Sequence, residues 1–164
     1  MKLYLKQKVF SFRDRFYVKD EAGNDRFYIE GEIFSFGKKL HVYDMGGTEI
    51  AFIRQKVWSF MPRYFIETGG KVVCQIVKEF TFFKQSYRLE GLPWHLHGDF
   101  FAHEYSLEEN GRQIMRMSKK WISWGDSYEL DIANPADELV CLCVTLAVDC
   151  AMAAQRSSSV RVRF

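Results

Sequence analysis

The sequence predicts an all-β protein with one central helix: about twelve short antiparallel strands closed into a β-barrel around a hydrophobic C-terminal α-helix. Three observations lead there. A short aromatic segment recurs six times at intervals of a little over twenty residues, turn chemistry separates the copies, and the chain ends in a helix that is apolar all round. A repeat of that period is one supersecondary unit copied along the chain.

Four copies are plain: Lys8-Val9-Phe10-Ser11-Phe12, Glu32-Ile33-Phe34-Ser35-Phe36, Lys56-Val57-Trp58-Ser59-Phe60 and Lys120-Trp121-Ile122-Ser123-Trp124. Two are blurred, Lys78-Glu79-Phe80-Thr81-Phe82 and Gly98-Asp99-Phe100-Phe101-Ala102. Their alternation of aromatic and small polar residues reads as strand, so each copy is expected to open a hairpin. Glu21-Ala22-Gly23-Asn24, Met45-Gly46-Gly47-Thr48, Thr68-Gly69-Gly70 and Glu109-Asn110-Gly111 supply glycine or asparagine where a reversal needs positive φ. Glu90-Gly91-Leu92-Pro93 is a less regular turn, and the sixth hairpin runs from about Met115 to about Ile132. With an opening strand from Leu3 to Val9 the total is about twelve, suited to a closed barrel or sandwich.

The period then changes. Asn134 is a candidate N-cap, Pro135 fits the first helical position and Asp137 complements the helix dipole. The helix is expected over about residues 135–154, in a single domain spanning 1–156, with 157–164 a frayed tail. From Leu139 to Ala154 it has no polar stripe, so it is buried on every side or lies in a membrane. The run Leu139 to Val148 falls well short of the roughly twenty residues that cross a bilayer, and Asp149 interrupts it. A helix about 10 Å wide does not fit inside a filled eight-stranded barrel, whereas about twelve strands leave room for one.

Composition bounds function. Hydrophobic residues make up 48% of the 164-residue chain, which suits one packed domain rather than disorder. Its 23 basic and 21 acidic residues leave a net charge of +2, so bulk charge does not draw nucleic acid and a basic site must be local. The charged N-terminus, Met1 to Lys8, lacks a signal-peptide apolar core, so secretion is not expected. Cys141, Cys143 and Cys150 sit in one apolar segment, where free buried thiols of a reducing compartment fit better than disulfides.

Four copies open on a lysine, Lys8, Lys56, Lys78 and Lys120, which stands two residues before the first aromatic in three of them and directly before Trp121 in the fourth, with Lys6, Arg54 and Lys119 close by. Residues two apart share a strand face, so these seven cations are the candidate ligand-binding residues, gathered at one rim to hold an anionic headgroup. The plainer reading makes them solvated strand residues that discourage edge pairing; Glu32 and Gly98 break the pattern in two copies. His95, His97 and Asp99 alternate with His103 following, but a solvent-facing strand gives the same string, so no metal site is expected. Gly98 and Asp99 read instead as a bend or bulge with a side-chain-to-backbone hydrogen bond. Asp149 must reach water or a partner, and the mouth of the barrel is its expected place. There is no GxSxG, GxxxxGK[ST] or GxGxxG sequence, so no catalytic residue and no cofactor is expected.

The ordered set Lys6-Gln7-Lys8-Val9-Phe10-Ser11-Phe12, Phe34-Ser35-Phe36-Gly37, Phe80-Thr81-Phe82-Phe83-Lys84, Gly98-Asp99-Phe100-Phe101-Ala102-His103 and Ser118 to Asp126 resembles the LURP-one-related family in its bacterial branch, over about residues 2–154. The resemblance implies a tubby-like fold, a twelve-stranded closed barrel around a hydrophobic helix. Relatives of that fold include tubby C-terminal domains, which bind phosphoinositide headgroups, and phospholipid scramblases. No tubby lipid-binding residue transfers to a position of this chain, and fold alone is a weak warrant for function. The leading expectation is a non-enzymatic, cytoplasmic protein, peripheral to the membrane, whose basic rim binds anionic phospholipid, a phosphoinositide headgroup or a membrane surface. A protein-interaction or scaffold module is the alternative and an unrecognised enzyme the third; nucleic acid is not an expected partner.

Overall fold

A computed structural model describes residues 1–6, 15–32, 36–81, 84–122 and 125–161. Twelve strands follow one another in the chain: β1 Lys2–Lys6, β2 Phe16–Lys19, β3 Asp25–Gly31, β4 Lys39–Asp44, β5 Glu49–Gln55, β6 Arg63–Thr68, β7 Lys71–Glu79, β8 Ser86–Glu90, β9 His95–Asp99, β10 Glu104–Glu109, β11 Arg112–Ile122 and β12 Gly125–Ile132. A 3-10 turn, Pro135–Asp137, leads into the single helix α1, Glu138–Arg161.

The strands form one antiparallel sheet in the order β8-β7-β6-β5-β4-β3-β2-β1-β12-β11-β10-β9. Every neighbour is consecutive in the chain except β1 and β12, whose register from Lys2↔Asp131 to Lys6↔Ser127 brings the two ends of the sheet sequence together. The expected twelve-stranded antiparallel barrel is therefore present, and it is nearly closed. Between β8 and β9 side chains meet where no ladder runs: the rings of Tyr87 and Phe100 stand edge to face at 4.9 Å. The turn between them is irregular: Pro93 has no N–H to donate, and Gly91 is held at φ 102° with Val73 oxygen of β7 only 2.9 Å from where a Cβ would sit.

Alternation decides which face each strand turns inward. Leu3 and Leu5 of β1, Ile29 of β3, Leu40 and Val42 of β4, and Leu130 and Ile132 of β12 are all at most 1% exposed. What they face is α1. On the helix Cys141, Leu142, Cys143, Val144, Leu146, Ala147, Val148, Cys150 and Ala151 are equally hidden, as expected of a helix with no polar stripe.

The helix enters from one end of the barrel. Ile132, closing β12, exchanges hydrogen bonds with Met1 at 2.9 and 3.0 Å. Asn134 then caps the turn by accepting from the Ala136 N–H at 3.1 Å, the role its sequence position suggests. Arg26 of β3 holds the first helical residue in a forked ion pair, Nε to Glu138 Oε1 at 3.1 Å and Nη2 to Oε2 at 3.0 Å. From there α1 runs back through the interior. It continues past Ala154 to Arg161, farther than the sequence suggests: Ser157 to Ser159 are weak helix formers but no glycine or proline stops the helix. Residues 162–164 lie outside the described residues.

Candidate functional site at the repeat end

In an antiparallel meander every odd-to-even connection falls at one end of the barrel and every even-to-odd connection at the other. The glycine turns at 20–24, 45–48, 69–70, 91–94 and 110–111 make the far end. The described parts of five repeat copies fall at the near end. For four of them this corrects the expectation of wall strands: Glu32 and Phe36 lie in the β3–β4 connection, Lys56 to Phe60 lie wholly in the β5–β6 connection, and Phe80 and Phe100 to Ala102 lie beyond the ends of β7 and β9, whereas Lys120 to Ile122 keep the expected strand conformation at the end of β11. Phe-Ser-Phe alternation suits a strand, but a strand needs a continuous ladder, and in the connections only isolated bonds such as Lys56 N–H to the Arg63 oxygen at 2.8 Å continue it. Residues 7–14, 33–35, 82–83 and 123–124, which hold the whole first copy and parts of three others, lie outside the described residues.

Most of the repeated aromatics among the described residues point at solvent, while Phe100 is 4% exposed and packs inward. Phe36 is 73% exposed, Trp58 90%, Phe60 99%, Phe80 72% and Phe101 61%. Phe36 and Trp58 lie with ring centroids 6.2 Å apart. Phe60, Phe80 and Phe101, from three successive connections, line one open cleft of about 460 Å³ together with Met61, Lys78 and Lys84.

Of the seven cations expected at the rim, Lys56, Lys78, Lys119, Lys120 and Lys6 stand at or within a few residues of this end. They form two arcs. Lys56 and Lys78 belong to the β5–β7 arc; Lys78 is half-buried in the cleft wall, where burial lowers its pKa. Lys6 and Lys120 both stand opposite Ser127, on the strands flanking β12. Lys119 is exposed although it shares the core face of Met115 and Met117, which places it at the mouth. Arg54 is tied into the outer wall, 2.6 Å from Glu67 Oε1 and over the Phe65 ring at 4.5 Å. Lys8 lies outside the described residues. The repeat phase did not single out Arg15, Lys38 and Lys84, exposed cations in the same set of connections; their signal is position between strands, not spacing from an aromatic.

Inside the mouth lies an acid–imidazole–phenol cluster. Asp149 is 3% exposed, not at water as its place near the helix end suggests. His103, in the β9–β10 connection with φ 56°, folds over it with Nδ1 at 3.6 Å from Oδ1 and stacks on Tyr128 at 4.6 Å. Burial, reinforced by the Asp149 charge, holds the Tyr105 and Tyr87 phenols protonated well above the ordinary range. His95 and His97 stay exposed on β9 with ring centroids 6.3 Å apart. Gly98, at φ 135°, and Asp99 stay paired in the β9 ladder without a register shift, while the expected side-chain-to-backbone bond is present: Asp99 Oδ1 accepts from the Ala102 N–H at 3.1 Å.

Cys74, Cys141, Cys143 and Cys150 are free and buried. Burial pushes the thiols of Cys74 and Cys141 up to about 12. An unfolded thiol ionises near pH 8.5, so between about pH 9 and about pH 12 the unfolded chain releases protons that the folded one keeps. Stability is full below that window and falls by about 1.4 kcal/mol per pH unit for each such thiol as pH rises through it. Thermal melts are expected to show a midpoint that drops steadily from about pH 9 upward, with a shallower drop in Cys74→Ala; a flat profile would contradict the thiols' burial.

A family model described as LURP-one-related matches residues 1–149. The uncharacterized protein YxjI of Bacillus subtilis (strain 168) is 39% identical over 149 residues, covering 91% of this chain and 92% of that protein. An X-ray structure of a protein from Arabidopsis thaliana superposes with a TM-score of 0.60 at 16% identity, covering 90% of this chain and 89% of that one; a likeness that distant speaks for the fold alone. With the motifs at the barrel mouth, the helix-filled interior and these matches together, the chain belongs to the LURP-one-related family.

Proposed function

We propose that this protein is a non-enzymatic barrel that docks end-on, repeat end first, to an anionic phospholipid surface. The observation that carries the reading is a polarity of charge along the barrel axis. The far-end connections and the turn before α1 contain Asp20, Glu21 and Asp137 and neither lysine nor arginine. Among the described residues the repeat-end connections contain Arg15, Lys38, Lys56 and Lys84 against Glu32 alone. An anionic surface attracts one end and repels the other, so the field orients the molecule as well as holding it. Each basic side chain near such a surface contributes about 1 kcal/mol, and the attraction fades beyond a Debye length of about 10 Å at 0.1 M salt. The four free thiols suit the cytoplasmic leaflet, the one rich in anionic lipid.

Flotation with liposomes tests the reading. The protein is expected to float with phosphatidylcholine vesicles containing phosphatidylglycerol or a phosphoinositide, to stay down with phosphatidylcholine alone, and to be released by salt. Lys56→Glu combined with Lys84→Glu and Lys120→Glu reverses charge on both arcs and is expected to abolish flotation with the melting temperature little changed. Absence of binding at low salt, where charge contacts are strongest, would end the proposal.

A further inference from the structure

Charge alone does not account for the aromatics at the same end. Singly exposed apolar side chains are ordinary on soluble proteins; a cluster is not. Five large aromatics at the repeat end are 61 to 99% exposed, whereas Tyr17, Met45 and Val72, the other large exposed hydrophobics among the described residues, reach only 40 to 50% and lie on the wall or at the far end. The backbone adds a second sign. Trp58 has φ 63°, a conformation that costs a bulky residue strain. No burial of its indole offsets that cost, since the side chain is 90% exposed. Strain that presents an aromatic ring to solvent marks a surface completed by something else.

Resting on the docking reading above, we infer that the repeat-end aromatics, Phe36, Trp58, Phe60, Phe80 and Phe101, insert into the interfacial layer of the anionic bilayer, so that the protein wedges into the membrane surface rather than resting on it. Aromatic rings favour that layer because one edge meets headgroups while the body meets acyl chains. Neighbouring cations select the occupant: Lys56 precedes Trp58 by two residues, and Lys78 and Lys84 line the cleft that Phe60, Phe80 and Phe101 wall. An apolar protein partner would leave those lysines buried without counter-charge, which is costly, whereas an anionic headgroup layer over an acyl layer satisfies both kinds of side chain at once. Insertion of this kind needs no spanning segment, and no helix among the described residues is long and apolar enough to cross a membrane.

The test uses the whole chain and vesicles of phosphatidylcholine with about one third phosphatidylglycerol, a composition that supplies about 1 kcal/mol per surface cation. Subtracting the Trp58→Phe spectrum isolates Trp58 emission. It is expected to shift to the blue on adding these vesicles and to be quenched by lipids brominated high on the acyl chain. The triple variant Trp58→Ser/Phe60→Ser/Phe101→Ser changes only exposed side chains, so its melt is expected to match the parent, while its vesicle partitioning falls at least tenfold with an unchanged salt dependence. A parent that floats with unshifted Trp58 emission, and a triple variant that floats equally well, would overturn insertion and leave charge docking standing. A parent that does not float would overturn both. A blue shift that grows with protein concentration in the absence of vesicles, with sedimentation showing a dimer, would assign the aromatics to a self-interface and overturn the inference.

Discussion

Replacing Leu146 by aspartate is expected to abolish the folded state. Leu146 is 0% exposed, midway along a helix segment whose residues from Cys141 to Ala151 are at most 3% exposed. An amphipathic helix could turn a misplaced charge toward water; one surrounded by barrel wall on every side has no such direction. The carboxylate would have to neutralise or stay charged in an apolar site, and either costs several kcal/mol on top of the leucine packing, itself about 2 to 5 kcal/mol in leucine-to-alanine changes. Total stability for a domain is only about 5 to 15 kcal/mol. Leu146→Met, which keeps volume and apolarity, is expected to cost less than about 1.5 kcal/mol and serves as the control. Far-ultraviolet circular dichroism and a thermal melt decide it: a soluble aspartate variant with an unchanged transition would mean that the helix is not the core of the barrel.

That central helix was legible in the sequence for the same reason that it is vulnerable. Burial on all sides erases periodicity, so a run from Leu139 to Ala154 without a polar stripe says that every face is covered. The far-end turns were legible because Gly23, Gly47, Gly70 and Gly111 supply the positive φ values, 74 to 86°, that other residues adopt only with strain. The aromatic repeat was legible as a period and misleading as a conformation. Glu32 to Phe36 and Lys56 to Phe60 alternate like strands, yet strand character comes from a paired neighbour, which local sequence does not contain. The candidate site divides in the same way. The opening lysines Lys56, Lys78 and Lys120 could be read from the repeat, but their separation into two arcs depends on β1 pairing with β12, a long-range closure. The fit of His103 over Asp149 at 3.6 Å likewise joins a connection to a distant helix, and no spacing rule reaches that far.

Gly98→Val is expected to unpair β9 from β10, and the structure allows the steric cause to be separated from the conformational one. Gly98 sits at φ 135° opposite Tyr105 in the ladder. A Cβ at that position would lie 2.4 Å from Glu104 oxygen, 2.6 Å from Tyr105 Cα and 2.9 Å from Tyr105 Cβ. Two of those three atoms are backbone, so no rotamer change relieves the overlap and one strand must move. Gly23 provides the comparison: at φ 83° it too disfavours a side chain, but nothing lies within 4 Å of its Cβ position. Gly23→Ala is thus expected to cost only the conformational term, about 1 to 2 kcal/mol. Gly98→Val adds backbone displacement to a strain of about 1 to 3 kcal/mol, so about 3 kcal/mol or more is expected. At about 2 to 4 °C per kcal/mol for a domain of this size, that lowers the melting temperature by about 6 to 12 °C. The loss has a specific location, because β9 already lacks a ladder to β8 and pairs with β10 alone. Hydrogen exchange should therefore show amides of β9 and β10 losing protection while those of β4 and β5 keep theirs. Equal melting shifts for Gly98→Val and Gly23→Ala, with protection retained in β9 and β10, would show that the close approach at Tyr105 does not set the register of the last hairpins.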